Sequence, residues 1–553
     1  MSTQPHHRLA RSAGIFTGAT LLSRILGYLR DTMVAAFFGA SAAADAFYTA
    51  FRISNLLRRL LGEGALSASF VPVFSEYTQT RSKEETQRFL NTIFTTLLVL
   101  LSILTLLGMV FAPQLTRLIA RGFEPGSERF ALTVILTRYM FPFILFISLA
   151  ALITGVLNAF HSFFLPALAP ACLSVAEMLY LGFLWVAHIN GQNAIVGLAV
   201  SVTVGGLSQF FILIPALMQR GYSLSLRWEP KHEAVRRVER LMLPATLGVS
   251  ADQLNAFVDT MMASFLSIGS VTALYYSNRV MQLPLALFGI ALSQVALPTM
   301  SASVARGATH EVKETLNFAL RLTLFMILPA TTGLILLGYP IVQTLFQYGR
   351  FSANASAVTT WALTAFSIGL LAYAAVKILA SAFYAHQTTR VPVIVASGCV
   401  ALNIALNLTA LWARTVLSSQ HPEWAEALNG RIGVASLALS TSIASWVNAS
   451  VLFILLRRKI GLLGGRRILR TILKSGIGCL AMTLFCWGVL HLRLTELPLA
   501  ASHLRIARAF ELLVAIAGGA GVYLAVARLL RMEEWEPFWS QLSHKPVASD
   551  IND

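Results

Sequence analysis

Charged residues are scarce in this sequence. Asp, Glu, Lys and Arg make up 12% of the 553 residues, whereas a typical soluble protein has about 25%. Hydrophobic residues make up 56%, and the mean hydropathy is +0.69. This balance excludes an ordinary soluble domain and predicts an all-α polytopic membrane protein.

Cysteine and the short motifs of enzymes are also sparse. The four cysteines all lie in apolar runs: Cys172, Cys399, Cys479 and Cys486. The sequence contains no CxxC, HExxH or P-loop pattern. A membrane-bound glycosyltransferase would need paired carboxylates or a metal motif near a membrane face, and we identify neither there. We therefore expect neither a disulfide framework nor an enzyme.

Positive charge is the exception to this scarcity, because the net charge is +17. The basic residues gather in loops, where they set membrane topology and meet anionic lipid rather than nucleic acid. The N-terminus MSTQPHHRLARS is basic, and the apolar run after it is too long for a cleavable signal. We expect the protein to stay in the membrane without signal cleavage.

A spanning helix needs about 20 mostly apolar residues. By this rule the sequence predicts fourteen transmembrane helices, near 14–38, 45–77, 89–112, 130–157, 164–188, 194–218, 241–266, 271–301, 316–337, 356–385, 391–413, 432–456, 468–491 and 508–531. The second and eighth are long enough to contain a break, near Gly62 and Gly64 and near Pro284. Segments 219–240 and 457–474 are rich in Lys and Arg, whereas loops 39–44, 189–193 and 267–270 have neither. Both termini are therefore expected in the cytoplasm, with loop 113–129 as a mildly basic exception.

An internal repeat links the two halves of the chain. The sequence Asp31-Thr32-Met33 recurs as Asp259-Thr260-Met261, and further matches follow at a similar offset. Chance likeness between apolar helices is the alternative. A true duplication predicts two pseudo-symmetric six-helix lobes, 1–220 and 221–460, with a site between them. Residues 461–553 then hold helices thirteen and fourteen and a cytoplasmic tail.

Several ionisable residues lie inside the predicted spans, where each costs roughly 2.5–3.5 kcal/mol on insertion scales. A cationic cavity for an anionic headgroup would explain them, because the arginine fork matches phosphate and stays protonated. The alternative is internal pairing, of Arg30 with Asp31 or Asp45 and of Arg59 with Glu63. The candidate substrate-binding residues are Ser23, Arg24, Arg30, Asp45, Arg58, Arg59, Glu63 and Arg279.

A second polar group lies on predicted spans seven and eleven: Asp252, Asn255, Asp259, Asn403 and Asn407. Oxygen ligands from several helices suit a hard cation. Interhelical hydrogen bonding is the alternative. Lys377 is a lone intramembrane cation, and Glu177 is either its acid partner or a buried hydrogen-bonding group.

The sequence resembles the MurJ/MviN family of bacterial lipid II flippases. The resemblance spans the whole chain and is carried by SRILGYLRD (23–31), the stretch 37–77, YYSNRVMQLPLALFGIALSQVALP (275–298), LFQYGRFS (345–352) and KILASAFYAHQ (377–387). This family belongs to the multidrug/oligosaccharidyl-lipid/polysaccharide exporter superfamily. Membership would imply flipping of lipid II across the bacterial inner membrane during peptidoglycan and cell wall biogenesis.

The resemblance also implies roles for particular residues. Arg24, Arg30, Arg58 and Arg279 would line the cavity and contact lipid II, with Asp45 as a gate partner of Arg30. Helices thirteen and fourteen would form a groove for the polyprenyl tail. A sodium site would lie at the positions Asp259, Asn403, Asn407 and Thr441.

Partners implied by the resemblance are lipid II, membrane lipids and cell-wall synthesis proteins. Two rival functions stay open. A flippase for another polyprenyl-diphosphate glycan would need the same diphosphate chemistry. A cation-coupled drug antiporter of the same superfamily should prefer acidic residues in its cavity, and the arginine surplus argues against it.

Overall fold

The computed structural model describes residues 4–59, 66–189, 191, 194–229, 231–492 and 504–535, without the side chains of 4–17, 67, 68, 243–252 and 504. Contacts divide the chain into two units. The first unit is Met1–Thr272 with Phe346–Ala355, and the second is Ala273–Leu345 with Ser356–Asp553. The described part of each unit is built from helices and their connections.

The helices that lie within the first unit are α1 Gln4–Phe38, α2 Ala42–Leu57, α3 Ser67–Thr80, α4 Lys83–Val110, α5 Ala112–Ile119, α6 Glu128–Met140, α7 Pro142–Ala159, α8 Phe164–Leu168, α9 Ala171–Val186, α10 Ala194–Gln219 and α11 Glu233–Ala263. Serines at positions 41, 82 and 127 cap α2, α4 and α6, each accepting a hydrogen bond from a backbone N–H three residues on, over 3.2 Å. These caps satisfy donors that have no partner inside a helix.

Helix α12 (Ser270–Pro284) begins in the first unit and continues in the second. The remaining helices lie wholly or, for α15 and α16, mostly in the second unit: α13 Ala291–Ala305, α14 Thr309–Leu336, α15 Gly338–Phe346, α16 Ala353–Ala385, α17 Arg390–Gln420, α18 Ala425–Asn429, α19 Arg431–Ile460, α20 Gly465–His491 and α21 Leu504–Leu529. A π-helical segment, Leu285–Ile290, joins α12 to α13. The break predicted near Pro284 is confirmed, because α-helical hydrogen bonding stops at this proline. The break predicted near Gly62 and Gly64 lies outside the described residues.

Eleven helical segments in the described ranges are long and apolar enough to cross a membrane. They correspond to predicted spans three to six and eight to fourteen, which confirms a polytopic all-α protein. Predicted spans one, two and seven are not among the eleven. Each of these three spans carries at least two charged residues, and α2 has only 16 residues. The count of fourteen stays a prediction.

Each unit has its own apolar core. In the first unit, an aromatic cluster joins α3, α4 and α7, and its ring centroids are 5.2 Å apart for Phe70 and Phe74 and 4.8 Å for Tyr77 and Phe89. In the second unit, one cluster joins α13, α14, α16 and α19, and another joins α14, α20 and α21. These clusters position the helices that carry the polar residues.

The connection from α10 to α11 docks on α4 through hydrogen bonds. Eight residues along a helix rise about 12 Å, and four residues of extended chain rise about 13 Å, so the two polar rows stay in register. Hydrogen bonds of 2.5–3.1 Å join the helix residues Gln87, Asn91 and Thr95 to Ser223, Ser225 and Arg227 of the connection. Because these hydrogen bonds hold the connection on α4, α11 starts at a fixed place beside α3 and α4.

Helix α11 packs against α2, α3, α4 and α5 of the first unit. For this reason the contact division falls after Thr272, whereas the repeat places a lobe boundary at 220/221. The lobes 1–220 and 221–460, and the separate segment 461–553, stay predictions about the repeat.

Candidate functional site

The charged stretch of α1 has an accessible and a buried part. Ser23 is half-buried and Arg24 is exposed, whereas Arg30 and Asp31, about two turns further on, are buried. Helix α1 packs against α8 and α9, and the buried pair lies on that packed side. Ser23 and Arg24 keep the access that a substrate contact requires, and their role stays a prediction.

Two carboxylates hold Arg30. Its Nη2 and Nε donate to Oδ1 of Asp31 over 2.5 and 3.0 Å, and its Nη1 donates to Oε1 of Glu177 on α9 over 3.3 Å. The three side chains are 8%, 1% and 2% exposed. The internal pairing that the sequence left open is therefore formed with Asp31. Glu177, for which the sequence left a pairing with Lys377 or a buried hydrogen bond open, accepts a hydrogen bond from Arg30.

Asp45, in the first turn of α2, is fully buried and accepts four hydrogen bonds. The donors are Nη2 of Arg129 at 2.5 Å, the backbone N of Gly269 at 2.7 Å, and both the backbone N and Oγ1 of Thr272 at 2.9 and 2.7 Å. Arg129 thus takes the place that the resemblance assigned to Arg30. Arg30 lies eight residues before the end of α1, about 12 Å along the helix axis, while Asp45 lies just after that end.

Arg129 was missed as a site residue because the sequence places it in an outer loop. It lies in the first turn of α6, its side chain is 15% exposed, and its guanidinium lies 3.8 Å from the ring centroid of Phe123. A buried acid and an aromatic face together explain its position. The basic loop 113–129, an exception to the topology rule, was the signal that pointed to it.

Two half-buried arginines, Arg58 and Arg59, directly follow the end of α2. The Nε of Arg58 donates to Oδ1 of Asn55, one turn earlier, over 2.9 Å. This bond orients the guanidinium. Glu63, the predicted partner of Arg59, lies outside the described residues, so that pairing stays a prediction.

Arg279 lies in the second unit on α12 and is half-buried. One turn before it, Tyr275 and Tyr276 make an edge-to-face contact with ring centroids 5.6 Å apart. Asn278 and Gln282 hydrogen-bond to each other over 2.5 Å. This neutral pair adds no negative charge beside Arg279.

The four predicted sodium ligands are divided between the units. Asp259 belongs to the first unit and is 8% exposed, whereas Asn403, Asn407 and Thr441 belong to the second and are 0%, 0% and 8% exposed. Oγ1 of Thr441 donates to Oδ1 of Asn403 over 3.4 Å. Within the described residues, no group of three or more His, Cys, Asp and Glu side chains could hold a metal. Carboxylate, amide and hydroxyl oxygens nevertheless suit a hard cation, and the sodium site stays a prediction.

An apolar groove of about 390 Å³ runs between α14, α20 and α21 in the second unit. Its walls include Phe288, Pro329, Met482, Ile516 and Leu524. The predicted spans thirteen and fourteen, α20 and α21, thus do line a groove, together with α14. A groove with apolar walls suits a hydrocarbon chain.

A charged layer follows at one end of this groove. On α14, Nη1 of Arg321 donates to Glu533 and lies 3.4 Å from Oε1 of Glu534, which also accepts from Thr471 over 2.8 Å. The hydrogen bond from Arg321 holds the pKa of Glu533 below its ordinary value. Sequence reasoning did not single out Arg321. The signal was a lone arginine in the apolar run 316–337.

Comparison with known proteins identifies the family. The model of the family described as lipid II flippase MurJ matches residues 34–506. The chain belongs to the lipid II flippase MurJ family. The lipid II flippase MurJ of Burkholderia cenocepacia is 36% identical over 455 residues, which is 82% of this chain and 84% of the relative. The probable lipid II flippase MurJ of Vibrio cholerae is 34% identical over 453 residues, 81% and 82% of the two chains.

Solved structures agree with this family. A MurJ structure in an inward closed conformation matches with a TM-score of 0.73 and 26% identity, covering 96% of this chain and 99% of the other. An inward-facing multidrug transporter of the MATE family matches with a TM-score of 0.64 and 14% identity over 82% and 98% of the two chains, which shows the shared fold alone.

One sequence motif of the MurJ-family resemblance, LFQYGRFS, has a visible physical role. The backbone N of Arg350 donates to the carbonyl oxygen of Ala36, near the end of α1, over 2.9 Å. Gly349 has a φ of +53°, and a Cβ there would lie 2.3 Å from the same oxygen. Only glycine allows this backbone approach, so the motif fixes the end of the helix that carries Arg24 and Arg30.

Proposed function

We propose that the protein flips lipid II, the lipid-linked peptidoglycan precursor, from the inner to the outer leaflet of the bacterial cytoplasmic membrane. Membership of the MurJ family and the matching fold support this function. The observation that carries the proposal is the placement of arginines on α1, α2 and α12, helices that are otherwise rich in apolar residues. A guanidinium at membrane depth is costly. Arg30 bonds to Asp31 and Glu177, and an anionic cargo would explain the exposed Arg24 and the half-buried Arg58 and Arg279.

Arg24, Arg58 and Arg279, with Ser23, are proposed to contact the diphosphate and sugars. A guanidinium donates two parallel hydrogen bonds to phosphate oxygens and stays charged at every physiological pH. Arg30 already shares hydrogen bonds with Asp31 and Glu177. Its contribution would be a guanidinium whose orientation is set before the substrate arrives.

Transport would occur by alternating access around the arginine site. The diphosphate would neutralise part of the arginine charge. It would therefore bind more tightly to a conformation in which the arginines lie close together than to one in which they are apart. Such differential binding is what allows a ligand to shift a conformational equilibrium. Membrane potential can add about 2.3 kcal/mol per unit charge per 100 mV.

The apolar groove of the second unit is proposed to hold the polyprenyl tail. Its walls are apolar, and it lies between α14, α20 and α21, which are all long and apolar enough to span a membrane. The headgroup could then move while the tail stays in a lipid-like environment. A bare diphosphate sugar would lack this part of the binding surface.

We also propose Na⁺ as the coupling ion, with Asp259, Asn403, Asn407 and Thr441 as its oxygen ligands. A bound cation would balance the buried Asp259 carboxylate. The proposal includes cytoplasmic termini and contacts with cell-wall synthesis proteins, and it includes no catalytic step. The basic segments 219–240 and 457–474 support the orientation.

The test is replacement of the endogenous lipid II flippase in a bacterial depletion strain. The wild-type chain should restore growth, whereas Arg24→Ala and Arg279→Ala should abolish it while the protein still reaches the membrane. Arg306→Ala is the matched control, because Arg306, directly after α13, makes an exposed ion pair with Glu311 in the first turn of α14.

Full growth with both cavity variants would contradict the arginine role. Failure of the wild-type chain, when it is present in the membrane at normal level, would contradict lipid II as cargo. A flippase for another polyprenyl-diphosphate glycan would be indicated if the chain restored that glycan instead.

A further inference from the structure

The apolar groove of the second unit ends at Tyr523. The ring of Tyr523, 3% exposed, lies against Gly478, where a Cβ would come within 2.8 Å of the ring. Its hydroxyl donates to the carbonyl oxygen of Phe325 over 2.7 Å and lies at hydrogen-bond distance, 3.1 Å, from the Ser475 hydroxyl. One side chain of α21 therefore connects α14 and α20 at this level.

The charged layer begins one helical turn further on. Arg321 precedes Phe325 by four residues on α14, and Thr471 precedes Ser475 by four on α20, about 6 Å in each case. Glu534, 2% exposed, follows α21, accepts a hydrogen bond from Thr471 and forms an ion pair with Arg321 over 3.4 Å. On the same side of the groove, Nζ of Lys474 donates to the carbonyl oxygen of Leu530 over 2.6 Å.

A hydrocarbon chain cannot enter this layer without separating buried charges. Arg321 is 8% and Glu534 2% exposed. Arg321 also bonds to Glu533, but separating Glu534 from Arg321 and Thr471 would leave a buried carboxylate without these partners. An isoprene chain offers no hydrogen bond in exchange. The walls on the opposite side of Tyr523, including Pro329, Gly333 and Ile341, present no such barrier.

We propose that Tyr523 and the Arg321–Glu534 pair form an end stop for the polyprenyl chain in this groove. The inference rests on the proposed binding of the tail there. The stop fixes how much of the chain the groove can hold. A longer chain must therefore leave the groove sideways into lipid instead of sliding towards the start of α14.

The test uses polyprenyl diphosphates of increasing length that carry a photoreactive diazirine at the far end of the chain. The purified full-length protein in lipid nanodiscs is irradiated with each probe, and labelled peptides are mapped by mass spectrometry. In the wild type, the label should advance along residues 325–341 and 515–524 with chain length. Residues 467–475 and 530–534 should stay unlabelled at every chain length, and the longest probes should label lipid.

The variant R321L/E534L replaces the charged pair with apolar residues, a change that buried ion pairs often tolerate without loss of stability. Label should then advance into 467–475 and 530–534. The control variant R306A/E311A removes an exposed ion pair near the start of the same helix, and its labelling map should equal that of the wild type.

Wild-type label beyond Tyr523 would overturn the stop, and so would an unchanged map in folded R321L/E534L. If that variant fails to fold, the wild-type length series still decides, because label in the charged layer with the longest probes contradicts the stop. A groove without label at any chain length would overturn the tail site, and the stop with it.

Discussion

Removal of the Asp45 carboxylate should strongly destabilise the first unit. Asp45 is completely buried and satisfies Arg129, the backbone of Gly269, and the backbone and hydroxyl of Thr272. Removing one partner of a buried ion pair typically costs about 3–5 kcal/mol. We expect Asp45→Ala to cost about this much, because the Arg129 charge and two backbone donors lose their acceptor. Asp45→Asn should cost less, since its amide oxygen can still accept from the backbone.

The assay is the unfolding temperature of the purified full-length protein in one detergent. The charge swap Asp45→Arg with Arg129→Asp should not restore stability, because Gly269 and Thr272 would still lack an acceptor. Glu76→Gln is the control, since Glu76 pairs with Arg237 at an exposed site and should melt like wild type. The reasoning is refuted if Asp45→Ala melts like Glu76→Gln, or if the swap restores the wild-type value.

Three further outcomes are expected. Gly122→Ala should lower the unfolding temperature, because its Cβ would lie 2.3 Å from the Ser264 carbonyl oxygen, whereas Gly182→Ala, with open space around it, should not. Acidification should release the segment after α21. The lowered pKa of Glu533 gives a stabilising contribution that is present above the ordinary value of 4.5 and lost as pH falls through the folded value. Hydrogen exchange at residues 530–535 measures this, and Glu533→Gln should remove the pH dependence. Replacing Na⁺ with choline should slow lipid II flipping in vesicles at constant membrane potential, and an unchanged rate would contradict sodium coupling.

The fold class could be predicted from the sequence because apolar runs of spanning length are a local property. The same holds for the helical break at Pro284, since proline cannot donate the backbone hydrogen bond that an α-helix needs. Spans one, two and seven are harder to recognise, because the charges that suggest function also lower the hydropathy that identifies a membrane helix.

The partners of the charged residues could be predicted only in part. Asp31 is adjacent in sequence to Arg30, so their pairing was among the expected alternatives. Glu177 and Arg129 reach their partners from helices 147 and 84 residues away in the chain, and no local pattern encodes such contacts. The closing of the apolar groove by Tyr523 likewise depends on three helices that only tertiary packing brings together.

The most direct measurement is the amount of lipid II exposed at the outer face of the cytoplasmic membrane in cells depleted of their own flippase. Cells that make this protein should expose lipid II at the normal level. Cells that make equal amounts of the Arg24→Ala or Arg279→Ala variant should retain it inside. Equal exposure with and without these arginines would contradict the account.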